Sequence, residues 1–102
     1  MQYEWDEEKN RVNIRKHGFD LSDAEEVFSS PMFVALDDRE DYSEDRWIGI
    51  GLLKSCVVVV VFAERSHEVI RVISMRKAIR YERLQFEKHL ANRLGKNQRH
   101  ER

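Results

Sequence analysis

The spacing of hydrophobic positions changes twice along this chain: it is helical over residues 6–28, close to two from Met32 to Met75, and helical again from residue 76. Met1–Trp5 alternates weakly and reads as a short edge strand. Asp6 is a fitting helix N-cap, with Glu7 and Glu8 placed to complement the helix dipole. Gly18, preceded by the basic Arg15, Lys16 and His17, is a fitting stop. Between these signals only Val12 and Ile14 are apolar. This helix therefore offers a core a narrow stripe and leaves Lys9, Asn10, Asn13, Lys16 and His17 for another use. Asp20 or Ser22 caps a second short helix, where Leu21, Ala24, Val27 and Phe28 form one face, and Ser29-Ser30-Pro31 ends it.

The next segments predict four strands joined by turns. Met32–Leu36 runs into the acidic stretch Asp37–Asp45, expected to be solvated. In the strand after it, Arg46, Ile48, Ile50 and Leu52 share one face, and Trp47, Gly49 and Gly51 the other. Two glycines on one face signal close approach of a helix or ligand. Cys56–Phe62 is continuously apolar, with five successive valines, as a central strand covered on both faces requires. Arg65-Ser66-His67 reads as a tight turn, and Val69–Met75 pairs back. Strict alternation in that last strand puts Arg71 on one face and Ser74 and Arg76 on the other. Arg76–Leu94 predicts a final helix that docks through Ile79, Phe86, Leu90 and Leu94 and stops at Gly95. Without βαβ alternation, the expected architecture is α+β: two short N-terminal helices, a curved four-stranded antiparallel sheet with a short N-terminal edge strand beside it, and a C-terminal helix. Residues 1–95 form a single domain and 96–102 a disordered tail.

Composition narrows the function. With 102 residues, 41% hydrophobic and 36% charged, the chain builds one small core under a highly charged surface. Its single cysteine cannot form an internal disulfide, and no apolar run is long enough to span a bilayer. Cytoplasmic localisation, without membrane association, is the expectation. The net charge of −1 hides an asymmetry: residues 1–68 carry eight Lys+Arg against sixteen Asp+Glu, and residues 69–102 ten against three. The basic end is suited to phosphates or to an acidic partner.

No zinc-type spacing links His17, His67, His89 and His100, and neither a phosphate-binding glycine loop nor a nucleophile elbow is present, so no metal and no cofactor are expected. Cys56 opens the buried valine strand and reads as a packed thiol. What remains is a cationic constellation with one aromatic: Arg46, Glu64, Arg65, Arg71, Ser74, Arg76, Lys77, Arg80 and Tyr81. Guanidinium groups hold phosphate oxygens bidentately, and RNA carries its own nucleophile in the 2′-OH. The protein then needs cations for the phosphorane charge, a proton acceptor (Glu64 or His17) and a donor (Tyr81 or protonated His17). The plainer reading makes Glu64, Arg65 and Arg71 cross-strand ion pairs on a solvated face.

These residues resemble a known family, the BrnT toxins of bacterial type II toxin–antitoxin modules. The matching segments are Trp5-Asp6-Glu7-Glu8-Lys9 with Asn13, Lys16-His17-Gly18, Ala24 to Phe28 with Pro31, Asp41-Tyr42, and Arg46 with Ile48-Gly49. They continue through Val57–Val61 with Glu64-Arg65, and Arg71 to Ser74 with Arg76, Ala78, Glu82 and Arg83. One departure is Ala63, where the family usually has threonine. The resemblance implies a RelE-like fold and a metal-independent endoribonuclease that inhibits translation. It also implies a BrnA-like antitoxin, two toxins being joined by an antitoxin dimer, with DNA reached only through that antitoxin. His17, Arg46, Glu64, Arg65, Arg76 and Tyr81 are then the candidate catalytic residues. Lys9, Lys16, Arg71, Ser74, Lys77, Arg80 and Arg83 are the candidate RNA contacts. Trp5 and Trp47 are expected to pack, and His17 and Asn13 either to act in the site or to fix the helix. Two other classes stand beside the ribonuclease: a catalytically inactive module of this fold that only pairs with an antitoxin, and a DNA-binding regulator using the basic final helix.

Overall fold

The valine run sets the middle of the sheet. The computed structural model describes residues 1–99, with side-chain surroundings as far as residue 93. Strand β4 (Cys56–Ser66) is flanked by β3 (Arg46–Leu53) and β5 (Val69–Lys77), both antiparallel to it. Strand β2 (Phe33–Asp37) extends the meander beyond β3. The edge strand β1 (Gln2–Glu4) pairs parallel to β5, so the order is β1-β5-β4-β3-β2 and the sheet is five-stranded and mixed. The four antiparallel strands and the N-terminal edge strand are as expected; the correction is that the edge strand joins the same sheet and runs parallel to β5, so the sheet is not purely antiparallel. The chain leaves β1 directly into a helix rather than a hairpin, so nothing forces β1 to run against its neighbour.

Each sheet face has its own core. On one, helix α1 (Glu7–His17) and a 3₁₀ turn (Leu21–Asp23) continuing into α2 (Ala24–Phe28) cover Val58, Val60, Phe62, Val72 and Met75. Trp5, Trp47 and Cys56 pack against this cluster, in the roles expected of them. On the other face, Ile50, Val59, Ala78 and Phe86 are buried, with Phe33, Ile48, Leu52, Val57 and Leu90 against them. Helix α3 (Arg80–Arg99) supplies Phe86 and Leu90 to this second core.

The glycine pair has the meaning its pattern suggests. A Cβ on Gly51 would lie 2.9 Å from Val27 Cγ1 and 3.1 Å from Met32 Cγ, and one on Gly49 would strike the end of Met32. Helix α2 and the residues after it therefore sit directly on the β3 backbone.

Other expectations are corrected. Val12 and Ile14 are not the buried stripe of α1; they are 54% and 41% exposed, and Asn10 and Asn13 are buried instead. Asp6 does cap the helix, accepting the Lys9 N–H at 3.1 Å, and Gly18 ends it in the left-handed region at φ 79°. Asp20 caps the next turn through the Ser22 N–H. Helix α3 begins at Arg80, not Arg76, so Ile79 lies outside it and is 61% exposed. It also continues through Gly95 to Arg99, because one glycine costs only about 1 kcal/mol among good helix formers. The remainder of the expected tail, residues 100–102, lies outside the described residues, as does the side chain of Leu94. The hairpin turn after β4 is at His67-Glu68, with Arg65 and Ser66 still in the strand.

Candidate functional site

A β-bulge decides which side chains meet. Strand β5 pairs Ser74 with Val61 but Val72 with Phe62, leaving Ile73 as an extra residue. Arg71, Ser74 and Arg76 therefore oppose Ala63, Val61 and Val59, alternate residues of β4, and lie on one face. This corrects the strict alternation that separated Arg71 from the other two. Across the sheet the same face carries Ile48 opposite Val61, and Arg46 one step beyond the Trp47–Phe62 pair, beside Ala63. Helix α3 covers only the half of this face around Ile50 and Val59. Toward Ile48 and Val61 the face stays partly exposed.

This part of the face forms a cleft of about 540 Å³ lined by Lys16, His17, Arg39, Ile48, Val59, Val61, Ser74, Arg76 and Glu82. Its floor is apolar sheet, and its polar groups come from the end of α1, the β2–β3 loop, β5 and the start of α3. A second hollow of about 390 Å³, along α1, shares Lys16, His17 and Ser74 and adds Glu8, Lys9, Val12, Asn13 and Ile73. His17 and Lys16 thus stand between two depressions that run along β5.

Helix α1 is held in place by amide chemistry. Asn10 Nδ2 donates to Asp20 Oδ1 at 2.9 Å, and Asn10 Oδ1 accepts the Leu21 N–H at 2.8 Å. The Asn10 and Ser22 hydrogen bonds hold the Asp20 carboxyl below its ordinary value. Asn13 Nδ2 donates to the Phe19 and Met75 carbonyls, both at 2.9 Å, and Asn13 Oδ1 accepts the Met75 N–H at 3.2 Å. Met75 lies between Ser74 and Arg76, so Asn13 fixes the helix that carries Lys16 and His17 against the strand that carries the cleft cations.

Ion pairs preset the cleft electrostatics. Arg76 donates from both terminal nitrogens to Glu82, at 2.8 and 2.7 Å. Glu82 Oε1 also accepts the Ile79 N–H at 2.9 Å, which is half of a capping box at the start of α3. The Arg76 hydrogen bonds hold Glu82 below the usual carboxylate range, and Glu82 raises Arg76 in turn. Asp37, expected in the solvated run, is 3% exposed. It accepts from Arg39 Nε at 2.7 Å and from Tyr42 OH at 3.2 Å, and chiefly because of Arg39 its pKa falls to about 2. The Asp37 carboxylate raises Arg39, whose own side chain reaches into the cleft.

The remaining candidates divide. Lys9, Arg46 and Arg71 line a small hollow at the Ala63 end of β5. Ala63 itself is 1% exposed. Glu64 and Arg65 are exposed at the far end of β4, where Arg65 pairs with Glu4 at 3.2 Å. Because β4 and β5 are antiparallel, that end lies beside Ile70 and not beside Arg76. Tyr81 is 66% exposed and accepts a hydrogen bond from Gln85 Nε2 at 3.0 Å. It borders a separate groove with Phe33, Leu84, Lys88, His89 and Asn92. Lys77 and Arg80 are exposed, Arg83 is half-buried, and none of the three lines the cleft. Sequence reasoning missed Arg39 and Glu82 as cleft residues. The Ile79-to-Glu82 capping spacing was the available signal for Glu82; nothing local marked Arg39. Among the described residues, no three His, Cys, Asp or Glu side chains gather as metal ligands.

The sequence profile of the family described as "Ribonuclease toxin, BrnT, of type II toxin-antitoxin system" matches residues 5–82. The fold is similar to the crystal structure of the Brucella abortus ribonuclease toxin BrnT, with a TM-score of 0.59 and 32% sequence identity, covering 78% of this chain and 99% of that one. No curated protein matches the chain. Every residue lining the cleft falls within the matched segment, which closes at Glu82, the carboxylate that holds Arg76. The chain belongs to the BrnT family of ribonuclease toxins of type II toxin–antitoxin systems.

Proposed function

We propose that this chain is a metal-independent endoribonuclease of RelE-like fold that cleaves RNA in the His17 cleft and thereby inhibits translation. The observation that carries the reading is the gathering of His17, Lys16, Ser74, Arg39 and Arg76 around one cleft on an otherwise apolar sheet face. The scissile phosphate sits between Lys16 and Arg76, whose charges stabilise the pentacovalent phosphorane. Histidine is the side-chain type that takes and gives a proton near neutral pH. His17 accepts the 2′-OH proton as that oxygen attacks phosphorus. It returns the proton to the departing 5′-oxygen, leaving a 2′,3′-cyclic phosphate and a 5′-hydroxyl. Ser74 donates to a non-bridging oxygen. Arg76 is aimed by Glu82, which makes Glu82 a positioning residue.

A toxin of this family has an antitoxin partner. We infer a BrnA-like protein, two toxins being joined by an antitoxin dimer, with DNA contacted by the antitoxin alone. Co-purification with the product of a short neighbouring reading frame, followed by the mass of the complex, tests this. Among the described residues, no helix is long and apolar enough to cross a membrane.

The test of activity is induced expression of the chain and of its His17→Ala and Arg76→Ala variants. Growth and RNA 5′ ends are followed, and cleavage by purified protein is assayed in chelator. Growth arrest and new 5′-hydroxyl ends, both lost in folded variants, are the expected results. Normal growth with folded, soluble wild-type protein overturns the reading and leaves an inactive module that only binds an antitoxin.

A further inference from the structure

At the Ala63 end of β5, a hollow of about 130 Å³ is lined by Asp6, Lys9, Arg46, Arg71, Val72 and Ile73. Its polar lining is one carboxylate and three cations, a set that suits an anion. Its three cations come from α1, β3 and β5. The Arg46 guanidinium lies over the Tyr42 ring, 4.2 Å from its centroid, and the Arg46 Nε is buried with no hydrogen-bond partner among the described residues. A desolvated guanidinium N–H without an acceptor is costly and marks a place for one. Lys9 is exposed and has no carboxylate partner among the described residues. Of the carboxylates nearby, Asp6 is engaged by the α1 cap through the Lys9 N–H, and Glu44, from the β2–β3 loop, pairs with Arg71.

We propose that this hollow is a second phosphate subsite for RNA, and that Glu44 occupies its Arg71 in the free protein. The inference rests on the RNA-cleaving reading above and deepens it. A backbone phosphate displaces the Glu44 carboxylate from Arg71, accepts from Arg46 and is approached by Lys9. Arg71 and Arg76 oppose Ala63 and Val59, four strand positions apart, so the two subsites are about 13 Å apart along the sheet. The subsite therefore grips a phosphate remote from the one cleaved, and fixes the register of the RNA on β5.

The test uses the full chain and a non-cleavable 2′-O-methyl oligonucleotide of about a dozen residues, with affinity measured across a salt series and folding checked by circular dichroism. Lys9→Gln is expected to weaken binding several-fold and to reduce the slope of log affinity against log salt by about 0.7, the value for one single-strand phosphate contact. Glu44→Gln is expected to tighten binding several-fold, an effect that loss of a structural ion pair does not produce. Unchanged affinity and slope in both variants, or weaker binding in Glu44→Gln, overturns the subsite while wild-type cleavage preserves the ribonuclease reading. Effects on binding of an acidic antitoxin peptide but not of RNA also overturn it. Absence of both binding and cleavage in wild type overturns both.

Discussion

Asn13 on α1 does for Met75 what a neighbouring strand would do. Its amide donates to the Met75 carbonyl at 2.9 Å and accepts the Met75 N–H at 3.2 Å, at a stretch of β5 beyond the reach of β1. A side chain thus closes the sheet edge next to the cleft. Asn13→Ala leaves a buried N–H and carbonyl without these partners, along with one contact to Phe19, and is expected to cost roughly 2–4 kcal/mol. Urea denaturation should show it. The same variant should lose more RNA cleavage than its folded fraction explains, since Lys16 and His17 ride on α1.

The contact of α2 with β3 gives a graded prediction. A Cβ at Gly51 meets Val27, which is fully buried, whereas one at Gly49 meets first the flexible end of Met32. Gly51→Ala should therefore destabilise by about 1–3 kcal/mol and Gly49→Ala by less. Thermal melts that rank the pair in the opposite order would contradict this packing.

Acid should unfold the protein in part through Asp37. Its folded pKa, about 2, lies below its ordinary 3.8, so Asp37 contributes stability that is fully present above about pH 4 and fades as pH falls towards 2. Glu82, also lowered, acts in the same direction below its ordinary 4.5. Melting temperature should drop over this range, and Asp37→Asn should flatten the drop while lowering stability at neutral pH.

Position in the cleft, and not residue type, should sort the catalytic variants. Tyr81→Phe and Glu64→Gln alter groups outside it and should retain near-wild-type cleavage. His17→Ala removes the imidazole from the cleft and should reduce cleavage by at least a hundredfold at unchanged stability. Single-turnover assays on one RNA compare all three, and a large loss in Tyr81→Phe would move the chemistry to the groove beside α3.

Much of the local structure was legible in the residues themselves. Asp6 and Gly18 bound α1, Asp20 starts the next turn, five valines make a buried strand, and Gly49 and Gly51 admit a helix, because capping, periodicity and the lack of a Cβ act within a few residues. The ordered motifs from Trp5 to Arg83 likewise sufficed to identify the family.

What escaped the sequence depends on pairing across strands. Composition made Asn10 and Asn13 spare polar residues; only the approach of Leu21 and Met75 turned them into the buried face of α1. The acidic run gave no hint that Asp37 would be buried against Arg39. The bulge at Ile73 exists only in the register of β5 on β4, and it is this bulge that turns Ser74 and Arg76 to the face of Arg71. The sequence determined that this chain has a cationic edge, a capped helix ending in Lys-His and a family. The tertiary structure alone decided which cations share a cleft, because one extra residue in one strand reverses every side chain that follows it.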